Sequence, residues 1–195
     1  MHVGLDLDNT IVNYDNAFYL AGREKNLIPE ETVPTKIGVK SYLYETGREE
    51  VWTGLQGYVY GPGIKHASLF PGFRSFLEFA GEQCWKLTII SHKTRQPYIG
   101  PQYDLHSSAT AWLESAGVLQ QVDTLHFETS KIAKLKRITD EAPQFFIDDL
   151  PEILNHSNFP SSTQPILFDP WDRLSASITL PHLQSWHHAR HLIES

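Results

Sequence analysis

The sequence has a single cysteine among its 195 residues, so it cannot form an intramolecular disulfide bond or a zinc site built on cysteines. It also lacks a surplus of positive charge, because 16 Lys and Arg stand against 23 Asp and Glu for a net charge of −7. A nucleic acid polymer requires a basic surface, so we expect no such partner. No apolar run reaches the roughly 18 residues of a membrane span, and we expect no membrane association.

The N-terminal segment 1–10 has acidic residues where a secretory signal needs a basic start and an apolar run. Together with the single cysteine, this favours a cytoplasmic protein. Twelve Gly and twelve Pro are close to average usage, which excludes collagen-like and Pro/Gly-rich disordered chains. The length and the 41% of apolar residues favour one domain with a real core, or such a domain carrying a small insertion.

Short apolar segments alternate with helical patterns over most of the chain. The predicted strands are His2–Asp8, Lys86–Ser91, Thr124–Glu128, Gln144–Asp148 and Ile166–Asp169. The predicted helices that follow or separate them are Phe73–Ala80, Ser108–Ala116, Ser130–Thr139 and His182–Ile193. This alternation predicts an α/β fold, with a parallel sheet that has helices on both faces.

The segment 13–67 interrupts the alternation, because it contains no convincing strand. Three short helices are predicted there instead, at Tyr14–Lys25, Lys36–Thr46 and Glu49–Tyr60. We therefore predict a core made of 1–12 and 68–195, with a small helical insertion at 13–67. Ligands of open α/β sheets bind at the carboxyl ends of the strands, and an insertion at this point is expected to cover that place.

Paired carboxylates follow two of the predicted strands. Asp6 and Asp8 end the first strand, and Asp148 and Asp149 end the strand 144–148. Like charges at a sheet end repel unless a cation compensates them, so two such pairs suggest a shared divalent ion. Oxygen ligands alone favour Mg²⁺ over zinc.

These acids have two plainer interpretations. Each pair could be an exposed acidic turn, although two such turns are less common than one. The run from Asp6 also imitates the start of an EF-hand calcium loop, but Ile11 stands where that loop needs glycine and Ala17 where it needs glutamate.

Two further residues, Ser91 and Lys131, are candidate site residues only because of their positions in the predicted elements. Ser91 ends a buried strand, which by itself is ordinary turn chemistry. Lys131 lies in the first turn of a predicted helix, where it opposes the helix dipole and needs an outside reason such as a bound anion. Lys134 and Lys136 are the alternatives, and the simplest expectation for both is a solvated helix face.

Taken in order, these residues resemble the four motifs of the haloacid dehalogenase (HAD) superfamily of phosphatases and phosphotransferases. The matching positions are Asp6-x-Asp8-x-Thr10, Ser91, Lys131 and Asp148-Asp149. The resemblance covers about residues 1–12 and 68–170, and it implies a Rossmann-like core with the 13–67 insertion as the small cap. The dehalogenase branch lacks the second aspartate of the first motif, so Asp8 favours phosphoryl chemistry.

The resemblance also implies roles for these residues. Asp6 would be the nucleophile that forms an aspartyl-phosphate, and Asp8 the general acid and base. Ser91 and Lys131 would bind the transferring phosphoryl group and stabilise its charge. The residues expected to bind Mg²⁺ are Asp6, Asp8, Asp148 and Asp149, and those expected to contact the substrate are Asn9, Thr10, Ser91, His92 and Lys131. Whether Lys131 or Lys134 is the motif lysine, and whether Asp149 or Asp148 is the direct metal ligand, stays open.

The function that follows as an expectation is a Mg²⁺-dependent phosphatase of a small phosphate monoester, such as a nucleotide or a sugar phosphate. Its partner would be a small phosphorylated metabolite. Two alternatives remain: a catalytically idle phospho-binding or regulatory domain, and a phosphotransferase or mutase on the same fold.

Overall fold

The computed structural model describes residues 1–174 and 179–194, so 175–178 and 195 of the predicted core lie outside the described residues. Its strands are β1 (His2–Leu5), β2 (Val12–Asn13), β3 (Ser68–Leu69), β4 (Lys86–His92), β5 (Thr124–Glu128), β6 (Phe145–Asp148), β7 (Gln164–Phe168) and β8 (His182–Leu183). Its helices are α1 (Asp15–Glu24), α2 (Lys36–Glu45), α3 (Glu49–Tyr60), α4 (Phe73–Glu82), α5 (Leu105–Ser115), α6 (Lys131–Glu141), α7 (Pro151–Leu154) and α8 (Ala189–Glu194). Short 3₁₀ helices occupy Pro62–His66, Leu119–Gln121 and Trp186–His188.

Six of these strands form one parallel sheet in the order β5-β4-β1-β6-β7-β8. Strand β1 lies between β4 and β6, with Leu5 opposite Ile89 on one side and Ile147 on the other. The chain runs outward from β1 through β4 to β5 and then returns to continue through β6 on the other side. The strand order reverses there, and such a reversal opens the crevice in which α/β proteins bind ligands. The predicted fold class is confirmed.

The structure divides into two compact units. The first consists of Met1–Val12, Leu69–Lys93 and Gly117–Ser195, and it contains the six-stranded sheet. A core of apolar side chains fills the space where α6 and α7 cover β4, β6 and β7. Its fully buried members include Ile90, Ile138, Phe146 and Leu167. The strands β1, β4, β6 and β7 are mostly buried, as is typical of parallel strands that are covered on both faces.

The second unit consists of Asn13–Ser68 and Thr94–Ala116 and contains α1, α2, α3 and α5. Its centre is aromatic: the Phe18 and Trp52 rings stack with centroids 4.8 Å apart, and Tyr60 packs edge-on against Phe18. A Cβ on Gly57 of α3 would lie 2.6 Å from the Pro97 Cβ, so this glycine lets the segment before α5 approach the helix. The sequence-based division differs here, because it assigned 94–116 to the core and only 13–67 to the insertion.

The C-terminal segment also differs from its prediction as one helix over His182–Ile193. The structure places β8, a 3₁₀ helix and α8 there in succession. The amides of Leu167 and Asp169 donate to the carbonyls of Pro181 and Leu183, at 2.8 and 3.0 Å. These sheet bonds hold the start of the segment as an edge strand and leave only its end to form a helix.

The described residues contain no helix that could span a membrane. Each helix within 1–174 and 179–194 is too short or too polar to cross a lipid bilayer.

Candidate active site

The polar residues that follow the central strands come together at one edge of the sheet. Asp6 directly follows β1, and its amide donates to the Ile147 carbonyl at 2.8 Å, which continues the pairing of β1 with β6. Asp148 ends β6, and Ser91 lies next to the end of β4. Parallel strands end at the same edge, so the first, second and fourth predicted motifs converge in three dimensions.

Lys134 joins two of these carboxylates. Its Nζ lies 2.5 Å from Asp6 Oδ1 and 2.6 Å from Asp148 Oδ2, and all three side chains are buried. The position follows from α6, whose inward face consists of Lys134, Leu135 and Ile138. This spacing is that of one helical stripe, and it turns the ammonium group into the sheet edge.

Lys131 does not occupy this place, which corrects the assignment of the motif lysine. Its Nζ pairs with Glu152 Oε1 at 2.6 Å, and 46% of the side chain is exposed. Ser130 caps α6 by accepting from the Ala133 amide at 3.1 Å, so Lys131 is the first helical residue and extends away from the core. The outside reason for a lysine at this helix start is therefore an acidic neighbour, Glu152. The usable sequence signal was the apolar pair Leu135 and Ile138 on the same face as Lys134.

Burial dominates the electrostatics of the lysine and its partners. Burial raises the pKa of Asp6 to about 7 against the opposing charge of Lys134, and the carboxylates of Asp148 and Asp8 add to the rise. Burial alone would lower the pKa of Lys134, but the Asp148 and Asp6 carboxylates hold it above its ordinary value. The ammonium group stays charged, and the carboxyl groups of Asp6 and Asp148 share it. The cluster therefore has more negative than positive charge, which favours binding of a further cation.

Three carboxylates could hold that cation. Asp6, Asp148 and Asp149 each offer one oxygen, and these atoms all lie within 4.8 Å of one another. Asp148 already accepts from Lys134 and, through Oδ1, from the Leu150 amide at 2.9 Å. Asp149 is more exposed than Asp148, and its role as the direct ligand stays a prediction. A second group of possible ligands consists of Asp169, Asp172 and His182.

Two buried hydroxyl groups, on residues of the first and second motifs, lack a hydrogen-bond partner among the described residues. They are Ser91 Oγ and Thr10 Oγ1, and the two residues are 1% and 0% exposed. A buried polar group is normally satisfied, so the Ser91 hydroxyl, near the end of β4, is available to bind a ligand. Thr10 is itself held in place, because Trp186 Nε1 donates to its carbonyl at 2.9 Å.

The loop after Asp6 has a fixed backbone. The Leu7 carbonyl accepts from the amides of Ile11 and Val12, both at 3.0 Å, and the Asn9 amide donates to Val12. Asn9 has a positive φ of 65°, a conformation that asparagine tolerates better than most residues. The structure thus fixes the backbone of Asn9 in the loop that carries Asp8, and a role for its side chain in substrate binding stays a prediction.

The two residues after Ser91 are also shielded from solvent: His92 is half-buried and Lys93 is buried. Burial and then the charges of Lys134 and Lys131 lower the pKa of His92, which favours the neutral ring. Lys93 is almost fully buried, and its Nζ donates to Asp8 Oδ2 at 2.6 Å. The sequence suggests for Lys93 only a place at the mouth of the site, beside His92 and Arg95, and does not pair it with Asp8. The signal that could have found it is a lysine directly after a buried strand end that carries a motif residue.

Comparison with solved structures decides the fold. A HAD-superfamily hydrolase from Ehrlichia chaffeensis matches with a TM-score of 0.62 and 14% identity, over 98% of this chain and 95% of that one. YfnB of Bacillus subtilis, described as a HAD-hydrolase bound to magnesium, matches with a TM-score of 0.66 and 14% identity, over 100% and 98%. The chain has a HAD-like fold.

A solved structure with a different description also matches this chain. Protein Tyrosine Kinase A of Mycobacterium tuberculosis matches with a TM-score of 0.68 and 16% identity, over 100% of this chain and 98% of that one. No protein-family model and no curated protein matches the sequence. At such low identities the structural likeness establishes the fold, and the chemistry has to be argued from the site.

Proposed function

We propose that this HAD-like protein is a Mg²⁺-dependent phosphohydrolase that acts on a small phosphate monoester through an aspartyl-phosphate on Asp6. The observation that carries the proposal is the buried bridge from Lys134 to Asp6 and Asp148, beside the third carboxylate, Asp149. A surplus of negative charge beside an unpartnered buried hydroxyl suits a phosphate group that arrives with a divalent cation.

The chain's own residues supply the following chemistry. The Asp6 carboxylate attacks phosphorus while the bond to the leaving oxygen breaks, and Asp8 gives its proton to that oxygen. Asp8 then takes a proton from a water molecule, whose oxygen attacks phosphorus and releases phosphate from Asp6. Ser91 Oγ donates to a phosphoryl oxygen, and Lys134 holds Asp6 in place and balances part of the negative charge.

The donor set fits Mg²⁺, because Asp6, Asp148 and Asp149 offer only oxygen ligands close together. When bound, the ion would neutralise charge on the phosphoryl oxygens and help to orient them. The resemblance to the HAD superfamily implies that Asp8 would contribute its backbone carbonyl to the ion, and this is compatible with the contact between its side chain and Lys93. The magnesium described for the Bacillus subtilis neighbour also supports this choice of ion.

Magnesium is expected to stabilise the protein through Asp149. Binding to the folded state alone adds about 2.7 kcal/mol to the free energy of unfolding at a concentration 100 times the Kd. Thermal unfolding of the wild type should therefore shift upward in MgCl₂, and Asp149→Asn should lose most of that shift.

The matched control is Asp172→Asn in the second carboxylate group, where the positive φ of 52° suits asparagine. This variant should keep the full magnesium shift. A shift retained by Asp149→Asn and lost by Asp172→Asn would contradict the assignment of the site.

Removal of the Ser91 hydroxyl is expected to weaken catalysis without weakening the fold. A hydrogen bond to a charged group contributes about 1.5–3 kcal/mol, so Ser91→Ala should lower kcat/KM for an aryl phosphate by roughly 10- to 100-fold. The free energy of unfolding should stay close to that of the wild type, because Ser91 Oγ has no partner among the described residues to lose.

Thr88→Ala on the same strand gives the opposite pattern. Thr88 Oγ1 bonds with His2 Nε2 at 2.8 Å and Thr124 Oγ1 at 3.0 Å, so its loss should cost about 1–3 kcal/mol of stability. Its kcat/KM should remain near the wild-type value. Equal effects of the two substitutions on both stability and kcat/KM would contradict a phosphate-binding role for Ser91.

A single assay separates the proposed enzyme from the alternatives. Release of phosphate from p-nitrophenyl phosphate with and without Mg²⁺ tests for hydrolysis, and an idle phospho-binding domain would release none. Transfer of the phosphoryl group to an added alcohol in place of water would instead indicate a phosphotransferase.

A further inference from the structure

The buried lysine that follows β4 has no task in the mechanism above. Only 3% of the Lys93 side chain is exposed, and its Nζ lies 2.6 Å from Asp8 Oδ2. An ammonium group without a compensating charge is strongly disfavoured in such a place, and the pair with Asp8 supplies a compensating charge. This partner, Asp8, is the general acid and base of the proposed mechanism.

The backbones on both sides of this pair are fixed. The Lys93 amide donates to the Glu128 carbonyl at 2.9 Å, which continues the pairing of His92 with Glu128 at the end of the sheet. On the other side, Asp8 forms a bridge with Val12 that closes its loop. With both backbones fixed, the remaining freedom of the Asp8 carboxylate is that of its own side chain, and the Lys93 ammonium restricts it.

We propose that Lys93 is a positioning residue that holds the Asp8 carboxyl group where it gives its proton to the leaving group and later takes one from water. This inference rests on the proposed function and adds a residue to it. Lys93 gives up no proton in the reaction: the proton moves from Asp8 to the leaving oxygen, and later from water to Asp8. A displacement of about 1 Å at a reacting group can lower the rate by about 100-fold. Loss of the contact with Lys93 is therefore expected to slow proton transfer to the leaving group.

The dependence of kcat/KM on the leaving group tests this role. Phenyl phosphate and p-nitrophenyl phosphate have the same phosphate and ring, but the phenolate leaves poorly without a proton whereas the nitrophenolate leaves readily. Lys93→Met should lower kcat/KM for phenyl phosphate by about 10- to 100-fold and for p-nitrophenyl phosphate by no more than about 3-fold. Combined with Asp8→Asn, it should add no further selectivity, because the group that it positions is already gone.

The matched control lies at the other end of the same strand. Lys86 pairs with Glu141 at 3.1 Å, and 45% of its side chain is exposed. Lys86→Met should leave both substrates at wild-type rates. If the Lys93→Met protein does not fold, Lys93→Arg, which keeps the charge but displaces it, takes its place with the same two substrates.

Crystal structures of the wild type and of Lys93→Met supply a readout that needs no turnover. The Asp8 carboxylate should move, or occupy more than one position, in the variant. An unmoved carboxylate, or an equal loss on both substrates as expected for a phosphate ligand, would overturn the inference. A wild type that hydrolyses neither ester would instead refute the proposed function, and this outcome is distinct from the other two.

Discussion

Replacement of Asp6 by asparagine is expected to abolish phosphate release, with a loss of at least about 10⁴-fold in kcat, because the amide cannot replace the nucleophile. The fold should survive. Asparagine has the same shape, its oxygen can still accept from Lys134, and it removes a buried carboxyl whose pKa is already raised to about 7. Phosphate release from p-nitrophenyl phosphate and thermal unfolding measure the two effects.

Asp140→Asn is the matched control for this substitution. Asp140 pairs with Lys136 on the exposed face of α6, at 2.6 Å, and its loss should change neither rate nor stability appreciably. In Asp8→Asn, hydrolysis of the intermediate should slow, so a phosphorylated peptide containing Asp6 should be detectable by mass spectrometry after an acid quench. Turnover by Asp6→Asn close to the wild-type rate would exclude the covalent mechanism.

Replacement of Lys134 by methionine is expected to damage both stability and catalysis. Loss of one partner from a buried ion pair costs about 3–5 kcal/mol, because the Asp6 and Asp148 carboxylates would remain close together without their cation. Loss of a group that stabilises charge in the transition state should lower kcat by about 10²- to 10³-fold. Urea unfolding gives the first quantity, and steady-state kinetics below the unfolding midpoint give the second.

Lys131→Met provides the comparison within the same helix. Its exposed pair with Glu152 should contribute no more than about 1 kcal/mol, and its removal should leave kcat near that of the wild type. If Lys131→Met were the damaging substitution and Lys134→Met the harmless one, the site would be built as the sequence alone first indicated. A loss of stability without loss of kcat in Lys134→Met would restrict this lysine to a structural role.

Much of the fold could be predicted from local pattern. The strands β4, β5 and β6 and the helices α2, α3 and α6 lie within a few residues of their predicted positions. Buried parallel strands are short apolar runs, and helices begin and end at caps and glycines, so both signals are local. The acidic pairs and Ser91 could be assigned to one site because they follow strands, and parallel strands carry their carboxyl ends to one edge.

The sequence by itself determined the α/β sheet, the HAD-like order of motifs and the acidic residues of the candidate site. Each of these is a local pattern of a few neighbouring residues. Only the tertiary structure decided that Lys134 rather than Lys131 meets Asp6, 128 residues away along the chain, and that Lys93 pairs with Asp8. It also decided that 94–116 joins the helical unit and that His182–Leu183 is an edge strand. The partner of a charged side chain or an edge strand depends on what the rest of the chain brings beside it, and a local pattern does not contain that information.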